Sequence, residues 1–199
     1  MADEVADVPE HWPVEASEDL YRSNLPFALR ADTVRRPEQP DEEPFTRVVL
    51  EHPGAVVVLA LNEEDRALCL RQYRHPARMR MLELPAGLLD TAGEDPETTA
   101  RRELLEEAGL EADDWTPLVS AYSSPGISTE QIHYFLARGL RAGDRGDFRP
   151  VHEEADMQTL WVAYDDLLAA CLDGRVHDAP VLVAVLTARS RGLVGSAPR

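Results

Sequence analysis

The chain is expected to fold as an α/β (α+β) sandwich, a mixed sheet with helices on its faces, plus an N-terminal antiparallel β extension. Three observations lead there. Ala55 to Leu61 (AVVVLAL) is an unbroken apolar run, as a strand buried on both faces requires. Strand-like segments surround it and helical segments follow, an order that builds packed layers. Pro96 to Ala108 is a helix with both ends written out. Asp95 is a good N-cap, Pro96 suits the first turn, and Gly109 suits the left-handed residue after the last one.

The elements follow in order. Met1 to about Ala16 is acidic, carries Pro9 and Pro13, and is expected to fray. Leu25 to Arg36 alternates apolar positions (Phe27, Leu29, Ala31) and reads as a strand. A Pro- and acid-rich turn to Pro44 leads to a returning strand, Phe45 to Glu51. These two make a hairpin outside the main core. A lone hairpin is marginal in water, so it must lie on something, such as a second subunit. The expected division is 1–53 for this extension and 54–199 for the main domain. After the central run, Ala67 to Tyr73 and Met81 to Leu84 read as strands and Pro85-Ala86-Gly87 as a turn into the helix. Trp115 to Tyr122 and Gln131 to Ala137 are two more strands. Arg141 to Asp156 is a long polar segment of the kind that often carries function. Met157 to Ala163 is a last strand. Asp165 to Leu172 and Ala179 to Arg191 are helices, the second mostly apolar and expected to pack deeply.

Composition narrows the function classes. The 199 residues suit one domain with appended structure, and 37 acidic against 20 basic residues argue against nucleic-acid or anionic-membrane partners. All the basic residues are Arg. Cys69 and Cys171 lie far apart in apolar surroundings and are expected to be reduced and buried. No apolar leader or long apolar run is visible, so a cytoplasmic location is expected.

The Pro96–Ala108 helix carries the chemistry. Glu103, Glu106 and Glu107 stand at i, i+3 and i+4 and share one arc, while Ala100, Leu104 and Ala108 share a neighbouring arc that can face a core. Like charges at this spacing repel by a few tenths of a kcal/mol per pair, roughly. A solvated acidic face is the ordinary explanation. The alternative is a platform for hard divalent cations, which take carboxylate oxygens together with substrate phosphates.

The motif decides between them. Glu94, seven residues, Arg102-Glu103-Leu104, one residue, Glu106-Glu107, one residue, Gly109-Leu110 resembles the Nudix box at every fixed position from Glu94 onward. Six residues separate Gly87 from Glu94, where the pattern has five, so the intervening loop holds one extra residue. The resemblance implies a Nudix hydrolase, using Mg²⁺ or Mn²⁺ to cleave a nucleoside diphosphate linked to another group. By the same resemblance Glu103, Glu107 and Glu106 are metal ligands with the Ala86 carbonyl, and Arg102 orients carboxylates. Glu106 belongs to the catalytic set as well.

Within the family the chain most resembles the ADP-ribose pyrophosphatase branch, actinobacterial type, including the HEEADM run from His152 to Met157. Pro125, sixteen residues after Gly109, has a spacing associated with ADP-ribose specificity. This branch implies a catalytic Glu on a loop after the box, Glu154 or its neighbour Glu153, and a homodimer formed through the N-terminal extension. Substrate contacts are expected among Arg47, Arg71, Arg74, Glu83 and Pro125, although Arg47, Arg71, Arg74 and Arg80 would be surface residues on ordinary grounds. Hydrolysis of ADP-ribose to AMP and ribose 5-phosphate is the leading expectation. The alternatives are another nucleotide sugar or nucleoside diphosphate derivative as substrate, or a non-catalytic nucleotide-sensing domain.

Overall fold

Residues 5–39, 41–91, 93–145 and 157–195 are described by the computed structural model. They fall into two units, Met1–His52 with Ser124–Glu130, and Pro53–Ser123 with Gln131–Arg199.

The first unit holds a three-stranded antiparallel sheet in the order β1 (Val14–Arg22), β2 (Ala28–Val34), β3 (Phe45–Glu51). The expected hairpin is therefore β2 and β3, and a third strand joins it. Sequence reading missed β1 because VEASEDLYR is exposed along its whole length and shows no apolar alternation. Charge and hydrogen bonding tie it down instead. Ser17 Oγ donates to Asp32 at 2.6 Å, and Arg22 and Arg30 both reach Glu51, at 3.3 and 2.7 Å. Segment Ser124–Glu130 belongs to this unit through Leu50, whose N–H donates to the Ile127 carbonyl at 2.7 Å.

The second unit is built on a mixed sheet in the order β7 (Ala86–Leu88), β4 (Ala55–Ala60), β9 (Gln131–Ala142), β8 (Leu110–Tyr122). β4 and β9 run parallel, and the other pairs are antiparallel. A second antiparallel sheet is ordered β10 (Gln158–Ala163), β5 (Arg66–Arg74), β6 (Met79–Glu83). Three helices complete it, α1 (Pro96–Ala108), α2 (Tyr164–Leu172) and α3 (Ala179–Ser190).

Strand β4 shows why the apolar run is unbroken. Val56, Val58 and Ala60 pack with Ala100 and Leu104 of α1 on one side. Ala55, Val57 and Leu59 pack with Leu167 of α2 and Val181 and Val185 of α3 on the other. Alternation across the pleat thus puts every residue in one core or the other. Two expectations need correction. β8 and β9 extend past their predicted ends to pair Leu110 with Ala142, so the polar segment begins later than Arg141. The Ala86–Gly87 turn is itself a short strand, β7, pinned to Val56 and Val57. Three residues are too few to show a periodicity. Cys69 and Cys171 are free and buried, as expected, and burial pushes the Cys69 thiol up to about 12. Among the described residues no helix is long and apolar enough to cross a membrane.

Candidate active site

The acidic face of α1 is set by the helix ends. Asp95 caps the start, accepting from Glu97 N–H at 3.0 Å and Thr98 N–H at 3.4 Å, and Gly109 ends the helix at φ 67°. Leu104 and Ala100 are fully buried against β4, which fixes the rotation of the helix. Ala108, on the same arc, is half-buried and packs beside them. Thr99 is also fully buried, a position the periodicity did not mark. Its hydroxyl donates to Glu94 Oε2 at 2.7 Å, so the polar group is satisfied inside the protein.

Rotation in this sense carries Glu103 and Glu107 toward β7. Glu107 Oε2 accepts from the Ala86 N–H at 3.0 Å. The Glu103 carboxyl lies directly over Gly87, where any Cβ would overlap it. That close approach is the physical reason for glycine at the front of the motif. Arg102 Nη1 donates to Glu103 Oε1 at 2.7 Å and to Glu106 Oε2 at 3.4 Å. Its Nη2 is buried without a hydrogen-bond partner, 3.6 Å from Glu94 and 3.9 Å from Asp90. Burial pushes the Glu103 carboxyl up to about 7; Arg102 opposes that shift and Glu106 adds to it. One guanidinium is thus shared among Asp90, Glu94, Glu103 and Glu106.

Donor chemistry decides whether a divalent cation suits this face. Every side-chain donor on it is oxygen, the preference of hard ions, and burial disfavours the charged form of Glu103 even with Arg102 beside it. The residues fit such an ion. Among the described residues no group of three or more Asp, Glu, His or Cys side chains is placed to hold a metal ion by itself. The Ala86 carbonyl, water and substrate oxygens would finish the shell, as is usual for Mg²⁺-type sites.

A second cluster lies at the ends of β5 and β6. Arg74 Nε and Nη2 grip both oxygens of buried Glu83 at 2.8 and 2.7 Å, and Gln72 Nε2 adds 2.7 Å. Sequence reading named Arg74 and Glu83 separately. That they form one fork depends on strand register, which no spacing reveals. Asp178, the N-cap of α3, is near enough to feel both. Its carboxyl is pushed up to about 6 by burial, against the bond it accepts from Val181 N–H at 3.0 Å. Arg71 is exposed on β5.

Arg47 and Pro125 belong to the first unit. Arg47 is exposed, donates to its neighbour's carbonyl (Thr46) at 3.0 Å and covers the Phe45 ring at 4.2 Å. Pro125 is exposed in a turn closed on the Ser124 carbonyl, which accepts from Ile127 and Ser128 N–H at 3.0 and 2.9 Å. Glu153 and Glu154 lie outside the described residues.

The two-layer helix arrangement around a mixed sheet, with an acidic helix seated on a glycine strand, defines a class. The NUDIX domain family matches residues 51–184, and the chain belongs to this family of hydrolases. Its members generally use divalent metal ions. It is similar to the ADP-ribose pyrophosphatase of Mycobacterium tuberculosis, 42% identical over 86% of this chain and 80% of that protein. The ADP-ribose pyrophosphatase of Bacillus subtilis is 36% identical over 74% of this chain and 78% of that protein. A crystal structure of an ADP compounds hydrolase superimposes with a TM-score of 0.74 at 19% identity, covering 94% of this chain and 98% of that one, which shows the fold.

Proposed function

We propose that the protein hydrolyses the diphosphate of ADP-ribose to AMP and ribose 5-phosphate, with Mg²⁺ or Mn²⁺ as cofactor. The observation that carries this is the complete acidic face of α1, held by Arg102 and seated over Gly87. Likeness to two ADP-ribose pyrophosphatases over most of the chain supports the substrate. A divalent cation would supply charge neutralisation at the diphosphate and acidify water. Glu103, Glu106, Glu107 and the Ala86 carbonyl would hold it. Arg102 keeps Glu103 and Glu106 aligned. Glu154, with Glu153 as neighbour, removes the proton of the attacking water. Arg47, Arg71, Arg74, Glu83 and Pro125 form the substrate-binding set. The Arg74–Glu83 fork gives that set a rigid member.

A homodimer through the first unit is part of the same proposal. Tyr21 and Val48 stand on one face of that sheet and are 58% and 42% exposed, apolar surface suited to a second copy. Two free, buried thiols accord with a cytoplasmic setting.

Chromatographic detection of AMP from ADP-ribose, with each metal in turn, tests the reaction. AMP and ribose 5-phosphate in equal amounts are expected. No turnover with either metal, or faster turnover of another nucleotide sugar in the same panel, contradicts it. Glu154→Gln is expected to lower the maximal rate by about a hundredfold with metal activation unchanged, and a wild-type rate would remove it as the base.

A further inference from the structure

The C-terminal end of α1 presents a problem that its own residues do not solve. A helix C-terminus carries about half a negative charge, and cations in the last turn normally offset it. Here the last turn has no basic residue and instead contains Glu106 and Glu107. The final carbonyls also lack intrahelical donors.

Arg145 supplies what is missing from 38 residues further along the chain. Its Nη2 donates to the Glu107 carbonyl and its Nε to the Leu105 carbonyl at 3.3 Å. Leu105 O also accepts the Gly109 N–H at 2.8 Å, and Gly143 N–H donates to Gly109 O at 2.9 Å. The guanidinium stem lies against Gly109, where a Cβ would stand 3.3 Å from Nε and 3.5 Å from Cδ. Gly109 therefore serves twice, through its left-handed φ of 67° and through the space it leaves for Arg145.

We infer that Arg145 is a positioning residue for the cation platform: it clamps the backbone of Glu107 and so fixes where that carboxylate stands. The residue touches no reacting group. Its backbone fork acts on the same Glu107 whose side chain is fixed from the other end by the Ala86 N–H at 3.0 Å. A guanidinium meets two carbonyls with a planar fork that an ammonium cannot copy. The inference rests on the reading of α1 as a cation site, and its test separates the two.

The test measures Mn²⁺ binding by electron paramagnetic resonance, without substrate, together with amide hydrogen exchange at Ala108 and Gly109. Wild type, Arg145→Ala and Arg145→Lys are compared. Arg145→Ala is expected to weaken Mn²⁺ binding by about tenfold, the lower end for a residue supporting a ligand, and to speed exchange at Gly109. Arg145→Lys is expected to restore part of both. Unchanged Mn²⁺ affinity in Arg145→Ala overturns the inference, even with faster exchange, because Arg145 would then be only a cap. Full recovery in Arg145→Lys overturns the role of the fork. If wild type binds Mn²⁺ but does not cleave ADP-ribose, the substrate proposal fails and this one stands.

Discussion

Helices α1 and α3 open with the same punctuation and end in opposite ways. Each has an Asp N-cap bonded to first-turn amides and a Pro in the first turn. They pack on opposite faces of the same sheet, with β4 between them. Helix α3 buries Val181, Ala184, Val185 and Ala188 and places Arg189 in its last turn, where a cation complements the dipole. Helix α1 buries Thr99, Ala100 and Leu104 and puts Glu106 and Glu107 there instead. Helix α3 follows the electrostatic rule at its C-terminal end. The other breaks the electrostatic rule at one end, and that end is the candidate site. Departures of this kind are where function is expected, because nothing in folding favours them.

The comparison can be broken most strongly at Glu107. Glu107→Gln is expected to lower activity by at least about a hundredfold, with partial recovery in excess Mn²⁺, because it removes an anionic ligand and keeps the Ala86 bond. The metal-free variant should melt no lower than wild type, since a repelling charge is gone. A large stability loss with activity retained would make α1 an ordinary structural helix. Steady-state rates across a metal titration and a thermal melt decide this.

Packing comes next. Leu104→Ala is expected to cost about 2 to 5 kcal/mol and Val185→Ala about 2 kcal/mol in denaturant melts, both being fully buried. Only Leu104→Ala should also reduce activity per folded molecule, since it seats the helix of the candidate site. Equal effects on activity would erase the distinction between the two faces.

The effect confined to part of the pH range is at the N-cap of α3. The Asp178 carboxyl is pushed up from 3.8 to about 6 by burial. A raised acid holds its proton longer in the folded state than in the unfolded one. Its contribution is therefore full below about pH 4 and is lost as pH rises through about 6. The shift corresponds to a penalty on the order of 2 to 3 kcal/mol above that range. Asp178→Asn keeps the cap and removes the charge, so it should melt higher than wild type at pH 8 and equally at pH 4. Equal melts at both pH values would place the Asp178 charge in a compensated environment.

How much was legible in the chain follows the same division. The α1 ends, its buried arc and its acidic arc were readable because each depends on residues within one turn. The double-sided burial of β4 was readable from its unbroken apolar run. Strand β1 was hidden by its exposed polar sequence, and β7 by its length of three residues. The Arg74–Glu83 fork and the Arg145 clamp were invisible for a different reason. Each joins residues whose proximity is created by register or by a strand return, and sequence spacing does not encode it.

The central claim is that the acidic end of α1 is a cation platform, and a thermal melt with and without Mn²⁺ tests it most directly. A ligand that binds only the folded state stabilises it by mass action, about 2.7 kcal/mol at a hundred times its dissociation constant. Wild type is predicted to melt several degrees higher with Mn²⁺, and a Glu103→Gln/Glu107→Gln variant to show no rise. An equal rise in both proteins, or none in wild type, would contradict the account.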